Sequence, residues 1–600
     1  MHTNPVSLLV LGMTAIPGVA PALPPVGSTI TVTSTADAIA NDNACTLREA
    51  IIAANSNAAS SDTLNKCVAG TAAPAVDTIA FNIPDTDPGC TGTSPKICTI
   101  AVSSTLGALP DITGPVSIDG YTQPNAKANT LATGDDAVIL IRLDFSAVSG
   151  TGLHVASGSD NSTVSGISFV RPGGGSTNFG YLVKLDSNNV TVAGNFIGVE
   201  PDGHTVSTNN LVFFSLELEA GTGGTIGGTA PAARNLIAGS GNNTALDIEA
   251  NSTTNLVQGN YVDLDATGTA GIGSAGYGIV GIGAGNTIGG SAEGAGNVIG
   301  TWSGGAGLQF SLSAFHPGIE IAQGNRIGTD ASGTVALATG LYGIVIAGGG
   351  ATYAIGGGGA GEGNLIRGAN NGIYVVADAA GGAPVIQGNH ICVSLDGTQP
   401  LPCGTSGVVL SESSGGLFGG TSPGEGNVIA YSGTNAVVVS SATGWAILGN
   451  SMYNNGFGIS LAGSDAISAP TQNHPNGGVS GSNNLQNYPV LNPGVVGPRT
   501  KVKVSGSLNS EANKTYRLEF FANAGCDKSH NGQGKIFVGT IDVTTNPNDV
   551  TFGSGGTLAF TTFADRHVIT ATATDPDGNT SEFSACSGDD TIFSDSVDGH

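Results

Sequence analysis

"VAGNFIGVEPDG" (192–203), "VQGNYVDLDATG" (257–268), "AQGNRIGTDASG" (322–333), "IQGNHICVSLDG" (386–397) and "ILGNSMYNNGFG" (447–458) are five versions of one motif. Their asparagines, Asn195, Asn260, Asn325, Asn389 and Asn450, stand 65, 65, 64 and 61 residues apart. A second motif alternates with the first: "TIGGTAPAARNLIAG" (225–239), "TIGGSAEGAGNVIG" (287–300), "AIGGGGAGEGNLIRG" (354–368) and "LFGGTSPGEGNVIAY" (417–431). Its asparagines, Asn235, Asn297, Asn364 and Asn427, are spaced by 62, 67 and 63. Two interleaved series with one period mean one structural repeat, and a repeat outranks any local reading.

Between the motifs lie short stretches of alternating apolar residues, such as "YLVKLD" (181–186), "FSLELEA" (214–220), "ALDIEA" (245–250) and "YGIVIAG" (342–348). Aligned on their apolar residues, they place Lys184, Glu217, Asp247, Val280, Gln309, Val345, Tyr374, Val409 and Val438 in one outward column, at steps of 29 to 36 residues. Each repeat is therefore two coils of about 30 and 35 residues, with this strand once per coil. A strand at the same place in every short coil, punctuated by Gly, Asn and Asp rather than helix caps, predicts an all-β parallel β-helix. The nine asparagines are expected to stack inside a turn and satisfy backbone groups at the corners. At roughly 4.8 Å per coil, about ten coils make a rod on the order of 50 Å long.

Composition agrees. The chain has 600 residues, 96 of them glycine, only 18 Lys and Arg, and 44 Asp and Glu. Glycine is more than twice its usual share, about 7%, without a Gly-X-Y period, which excludes collagen. Apolar residues at 40% are too many for a disordered chain. A net charge of −26 argues against nucleic acid or an anionic membrane surface as partner, since both need clustered cations. No apolar run reaches the length of about 18 residues that a membrane-spanning helix needs. Residues 1–22 read as a secretion signal, with an apolar run from Val6 to Val19 and a small-x-small site at Ala20-Pro21-Ala22, although no Lys or Arg precedes the run. The eight cysteines fall in sequence-local pairs, Cys45 with Cys67, Cys90 with Cys98, Cys392 with Cys403 and Cys526 with Cys586. None has the spacing of a zinc site, so disulfides in an oxidising compartment fit best. Eight cysteines allow about 105 pairings; pairing between neighbours is the expectation.

Outside the repeats, "CTLREAIIAAN" (45–55), "DTIAFNIP" (77–84) and "VSIDGYTQPNA" (116–126) form a set that resembles the N-terminal segment of bacterial CSLREA-domain proteins. The two repeat motifs are similar to the right-handed parallel β-helix repeats that follow it in that family. "NNLQNYPVL" (483–491) and "ATATDPDGNTSEFS" (571–584) resemble its exit from the helix and its terminal β domain. The likeness runs from Thr31 to Ser587; the stretch before "QNYPVL" is less acidic than the family's usual Asp-rich segment. The resemblance implies a secreted or surface-exposed bacterial protein and supplies no catalytic residues. Together the readings predict a cap and first coils over 28–145, with a helix at "LREAIIAAN", and the rod over 146–475. A linker over 476–497, an Ig-like β-sandwich over 498–587 and a frayed tail over 588–600 follow.

Chemistry concentrates in one place. Lys184 and Asp186, Glu217 and Glu219, and Asp247 and Glu249 occupy equivalent outward positions on three successive coils, with His154 one coil upstream. Three readings compete. One is a solvated face balanced by Lys184. Another is a Ca²⁺ site, with Asp186, Glu219 and Glu249 as oxygen donors. The third is catalytic: Glu217 and Asp247 at the separation used by retaining glycoside hydrolases, or Lys184 as the base of a Ca²⁺-dependent polysaccharide lyase. His154 and Tyr374 are candidate substrate-binding residues, Tyr374 as a platform for a sugar ring. Asp135-Asp136, the acids of "DLDATG" and "GTDASG" (Asp263, Asp265, Asp330) and "DPDGNTSE" (575–582) read as turns. A long groove on a rod suits an extended polymer. The leading expectation is a secreted protein that engages glycans or cell-surface polymers. A polysaccharide-degrading enzyme and a plain structural stalk are the alternatives.

Overall fold

A computed structural model of the chain describes residues 26–587, apart from 60–65, 172–178, 208–211, 240–243, 274, 312–317, 349–351, 377–381, 412–414, 463–469, 493–494, 497–500, 554–557 and 560–567. The expected signal and tail lie outside the described residues.

Three long sheets run side by side, of thirteen, eleven and thirteen strands. The chain visits them in rotation. Val212–Thr222 lies in the second sheet, Thr225–Gly227 in the first and Leu236–Ile237 in the third, and Thr244–Thr253 is back in the second, paired in parallel with Val212–Thr222. This is the parallel β-helix that the period demands. Between successive coils of the three sheets every strand pairing is parallel except Cys90–Thr91 with Ile97–Ala101, which is antiparallel.

Inward residues stack as rows. Val164, Val192, Ile226, Val257, Ile288, Ala322, Ile355, Ile386, Phe418 and Ile447 are register partners on ten successive coils. All are buried in one continuous core. Each Val or Ile so buried contributes about 1.5–3 kcal/mol.

The nine asparagines form a ladder inside one corner. Asn260 donates its backbone N–H and its Nδ2 to Asn297 Oδ1, at 3.1 and 3.0 Å, while Asn297 does the same to Asn325 Oδ1. The pattern runs from Asn195 to Asn450, and all nine are buried. In the first series, the residue before each asparagine is a left-handed glycine. At Gly324 (φ +66) a Cβ would lie 2.4 Å from Gly290 O of the adjacent coil, so no other residue fits. A shorter ladder, not foreseen, runs in a second corner: Gly224 N–H to Asn255, Asn255 to Asn286, and Asn286 N–H to Glu320.

Both ends of the rod are covered by other parts of the chain. The helix Leu47–Ser56 starts at a capping box, in which Thr46 Oγ1 accepts from Glu49 N–H and the Glu49 carboxylate accepts from Thr46 N–H. Its Leu47, Ala50 and Ile51 join the core beside Ile30 and Ile79. After the last coil come three small three-stranded sheets, all antiparallel, around a separate core of Leu508, Tyr516, Leu518, Phe520 and Ile569. Phe521 and Phe583 from this region enter the rod's own core. Gln533 accepts from Asn455, and Glu582 accepts from Leu461 N–H and Thr471 N–H, so the open edge of the final coil is hydrogen-bonded shut. All eight cysteines are paired as neighbours.

One turn reading is corrected. Asp265 and Asp330 do hold turns, accepting from Ala270 N–H and Val335 N–H respectively. Asp263 does not. It sits at φ +51 where sister repeats carry Gly198 and Gly328, and it is fully buried, accepting from Gly239 N–H at 2.8 Å. "DPDGNTSE" is a turn as expected, with Asp575 accepting from Asp577 and Asn579 N–H between bridged Thr574 and Thr580.

Candidate functional site

The outward column of the second sheet has the register that the sequence spacing predicts. His154, Lys184, Glu217, Asp247, Val280, Gln309, Val345, Tyr374, Val409 and Val438 are consecutive partners across ten coils. The alternation around each residue explains this. Leu216 and Leu218 face the core, which turns Glu217 outward, and Leu246 and Ile248 do the same for Asp247.

Outward is not exposed, however. Glu217 is 2% and Asp247 3% accessible, so these acids do not form the solvated face that the sequence suggested. Glu217 Oε2 and Asp247 Oδ2 are buried without a hydrogen-bond partner. Oxygens of Glu217, Asp247 and Glu249 lie within 4.8 Å of one another. Burial, then the charge of Glu219, push the Glu217 carboxyl up to about 8. Burial, then Glu249, push Asp247 up to about 8 as well.

The other charged residues of the patch are already engaged. Lys184 Nζ lies 3.3 Å from Glu219 and 3.8 Å from Asp186. Burial works against its charge, but Asp186 and Glu219 outweigh this and its pKa is raised. An ammonium held so firmly is a poor base. His154 bridges two acids, Nδ1 to Asp111 at 2.9 Å and Nε2 to Asp186 at 2.7 Å. Of the expected cation donors Asp186, Glu219 and Glu249, only Glu249 joins the close acidic set. The other two are ion-paired with Lys184, and Glu217 and Asp247 take their places.

Aromatic rings border the ionic row. Tyr181 and Phe214 stack at 5.7 Å with planes 8° apart, and Lys184 Nζ sits 5.2 Å from the Tyr181 ring centre. Further along the face, Tyr374 stacks on Tyr342 at 4.8 Å and 26°. Tyr374 is therefore one half of a pair rather than an isolated ring. Its partners were legible. Tyr181, Phe214, Tyr277 and Tyr342 stand three residues before Lys184, Glu217, Val280 and Val345, a second column carried by the same alignment. Asp111 was not legible, because it lies outside the repeat.

No family model matches the chain, and no curated protein is similar to it in sequence. Two solved structures overlap it in part. The enzymatically active domain of tailspike protein 2 of bacteriophage CBA120 is 10% identical, with a TM-score of 0.28, over 80% of this chain and 68% of that one. The tailspike protein gp49 of Acinetobacter baumannii bacteriophage Fri1, a capsular polysaccharide depolymerase, is 9% identical, with a TM-score of 0.26, over 85% and 79%.

Proposed function

We propose that the protein engages extended glycans or other cell-surface polymers along the outer face of the second sheet. The observation that carries this is the composition of that face. Stacked aromatic pairs and a row of ionised and hydrogen-bonding groups recur on successive coils along one side of a rod. Sugar rings bind through such a mixture, apolar faces on aromatics and hydroxyls on charged groups, and a row repeated every coil suits a polymer better than a small metabolite. Four disulfides among eight cysteines favour an oxidising, extracellular location. In this reading the chain is a secreted CSLREA-type bacterial protein. Its rod is right-handed, the N-terminal helix is a cap, and the C-terminal sheets form an Ig-like sandwich.

The enzymatic alternative, a glycoside hydrolase or lyase, rests on the raised pKa values of Glu217 and Asp247. Their burial weighs against it, since a general acid must touch the glycosidic oxygen. One experiment separates the two. Affinity electrophoresis on a panel of bacterial polysaccharides, with parallel assays for reducing ends and unsaturated uronates, should give retardation without product. The double variant Tyr342→Ala/Tyr374→Ala should weaken binding at least about tenfold, because a lost stacking pair is worth about 1 kcal/mol or more. Product formation abolished by Glu217→Gln would establish the enzyme instead. Binding unchanged in the tyrosine variant would remove the face from consideration.

A further inference from the structure

We propose that Glu217, Asp247 and Glu249 together hold one hard divalent cation, Ca²⁺. The site is built by register: Glu217 and Asp247 are direct partners on adjacent coils, and Glu249 lies two residues on, on the same side of its strand. Three observations converge on it.

The first is spacing. The three donor oxygens lie within 4.8 Å of one another. Two oxygens on one Ca²⁺, each at about 2.3–2.6 Å, are at most about 5 Å apart, whereas on Mg²⁺ they are at most about 4.2 Å apart. A Ca²⁺ ion fits among these groups without their moving, and Mg²⁺ requires them to close in.

The second is the state of the carboxylates. Glu217 and Asp247 each carry a buried oxygen with no hydrogen-bond partner, at residue accessibilities of 2 and 3%. Buried polar atoms are ordinarily paired, and an orphaned carboxylate oxygen costs more than a neutral group would. Nearby Lys184 does not relieve them, because its close contacts are Asp186 and Glu219. A cation in the gap satisfies both orphaned oxygens at once.

The third is donor chemistry. The set is all oxygen, which selects a hard ion over zinc or copper. Three carboxylates supply up to six oxygens when bidentate, and Glu249, only half-buried, leaves a side on which water completes the shell. The inference stands apart from glycan binding, which uses the aromatic pairs.

The full-length protein, stripped with EDTA and exchanged into chelator-free buffer at pH 7.5, provides the test. Titration with CaCl2 by calorimetry should give one saturable site, and the thermal midpoint should rise with Ca²⁺ and much less with equimolar MgCl2. Glu249→Gln, a substitution at the half-exposed ligand that the fold tolerates best, should weaken Ca²⁺ binding at least tenfold, and Glu217→Gln/Asp247→Asn should abolish it. Absence of heat and of any midpoint shift at 10 mM Ca²⁺ overturns the proposal. So does a response that is equal for Mg²⁺ or unchanged in Glu249→Gln, which marks diffuse attraction to a chain of charge −26. Polysaccharide retardation measured with and without EDTA keeps this outcome separate from the glycan reading.

Discussion

Asn297→Ala is expected to lower the unfolding free energy by about 3–6 kcal/mol, the largest effect of any single polar substitution in the rod. Asn297 Oδ1 is the acceptor for both Asn260 N–H and Asn260 Nδ2, and its own Nδ2 donates to Val257 O and to Asn325 Oδ1. Alanine leaves two donors and a carbonyl unpaired in a corner where nothing is accessible to solvent. Each such group costs about 1–3 kcal/mol. Asn297→Asp is the sharper control. It keeps the acceptor but loses the donor, and it sets a carboxylate against Asn325 Oδ1 and Val257 O. It should therefore be at least as damaging as alanine at pH 7 and less so at pH 4, where a protonated carboxyl donates again. Urea unfolding followed by circular dichroism measures both; a loss below about 1 kcal/mol for alanine would mean that the ladder is not what holds the corner.

The second large effect is an inverted pH profile. Most folded proteins lose stability in acid because paired carboxylates must take up protons. Here several buried carboxyls do the reverse. Burial pushes Glu320 up to about 7 from an ordinary 4.5, and Asp263 well above its usual range. A raised value means that the folded chain keeps a proton that the unfolded chain releases. Their contribution to stability is thus complete below about pH 4 and is lost as pH rises through the folded value. For Glu320 that amounts to roughly 3 kcal/mol between pH 4.5 and 8. Glu217 and Asp247 add in the same direction when no divalent cation is present. The thermal midpoint in EDTA should accordingly be higher at pH 5 than at pH 8. Glu320→Gln, which can still accept from Asn286 N–H, should flatten the curve by raising its alkaline side. A midpoint that climbs from pH 5 to 8 in both proteins would contradict the assignment.

Register was the most legible property of this chain, because a β-helix converts spacing in sequence directly into neighbours in space. The outward column from Lys184 to Val438 and the nine ladder asparagines both follow from arithmetic on repeats. Depth was not legible. Alternation says which side of a strand Glu217 occupies, but its accessibility depends on what the adjacent coils place over it: Lys184 on one side, Asp247 on the other, and the Tyr181–Phe214 stack beside it. Asp263 was misread for a related reason. "DLDATG" contains two acids in a turn-like string, yet only Asp265 caps the turn; alignment of Asp263 with Gly198 and Gly328 would have exposed its left-handed backbone and interior place. Glu320 has no repeat partner of its own kind, since the residues before it in the short ladder are asparagines, so no periodicity announced it.

The covered ends and the asparagine ladder together make the molecule a ruler. Every interior coil offers the same corner to the coil before and after it, so two coils can be added or removed at any ladder step without altering either end. Duplicating residues 261–325 should move the C-terminal sheets about 10 Å further from the N-terminal helix, two coil spacings, and leave both junctions intact. Because Phe521, Phe583 and Gln533 occupy the last open edge, length is set by the gene and not by assembly. Such a rod grows by recombination between its own repeats, which changes how far the chain reaches without changing what it carries at its tip.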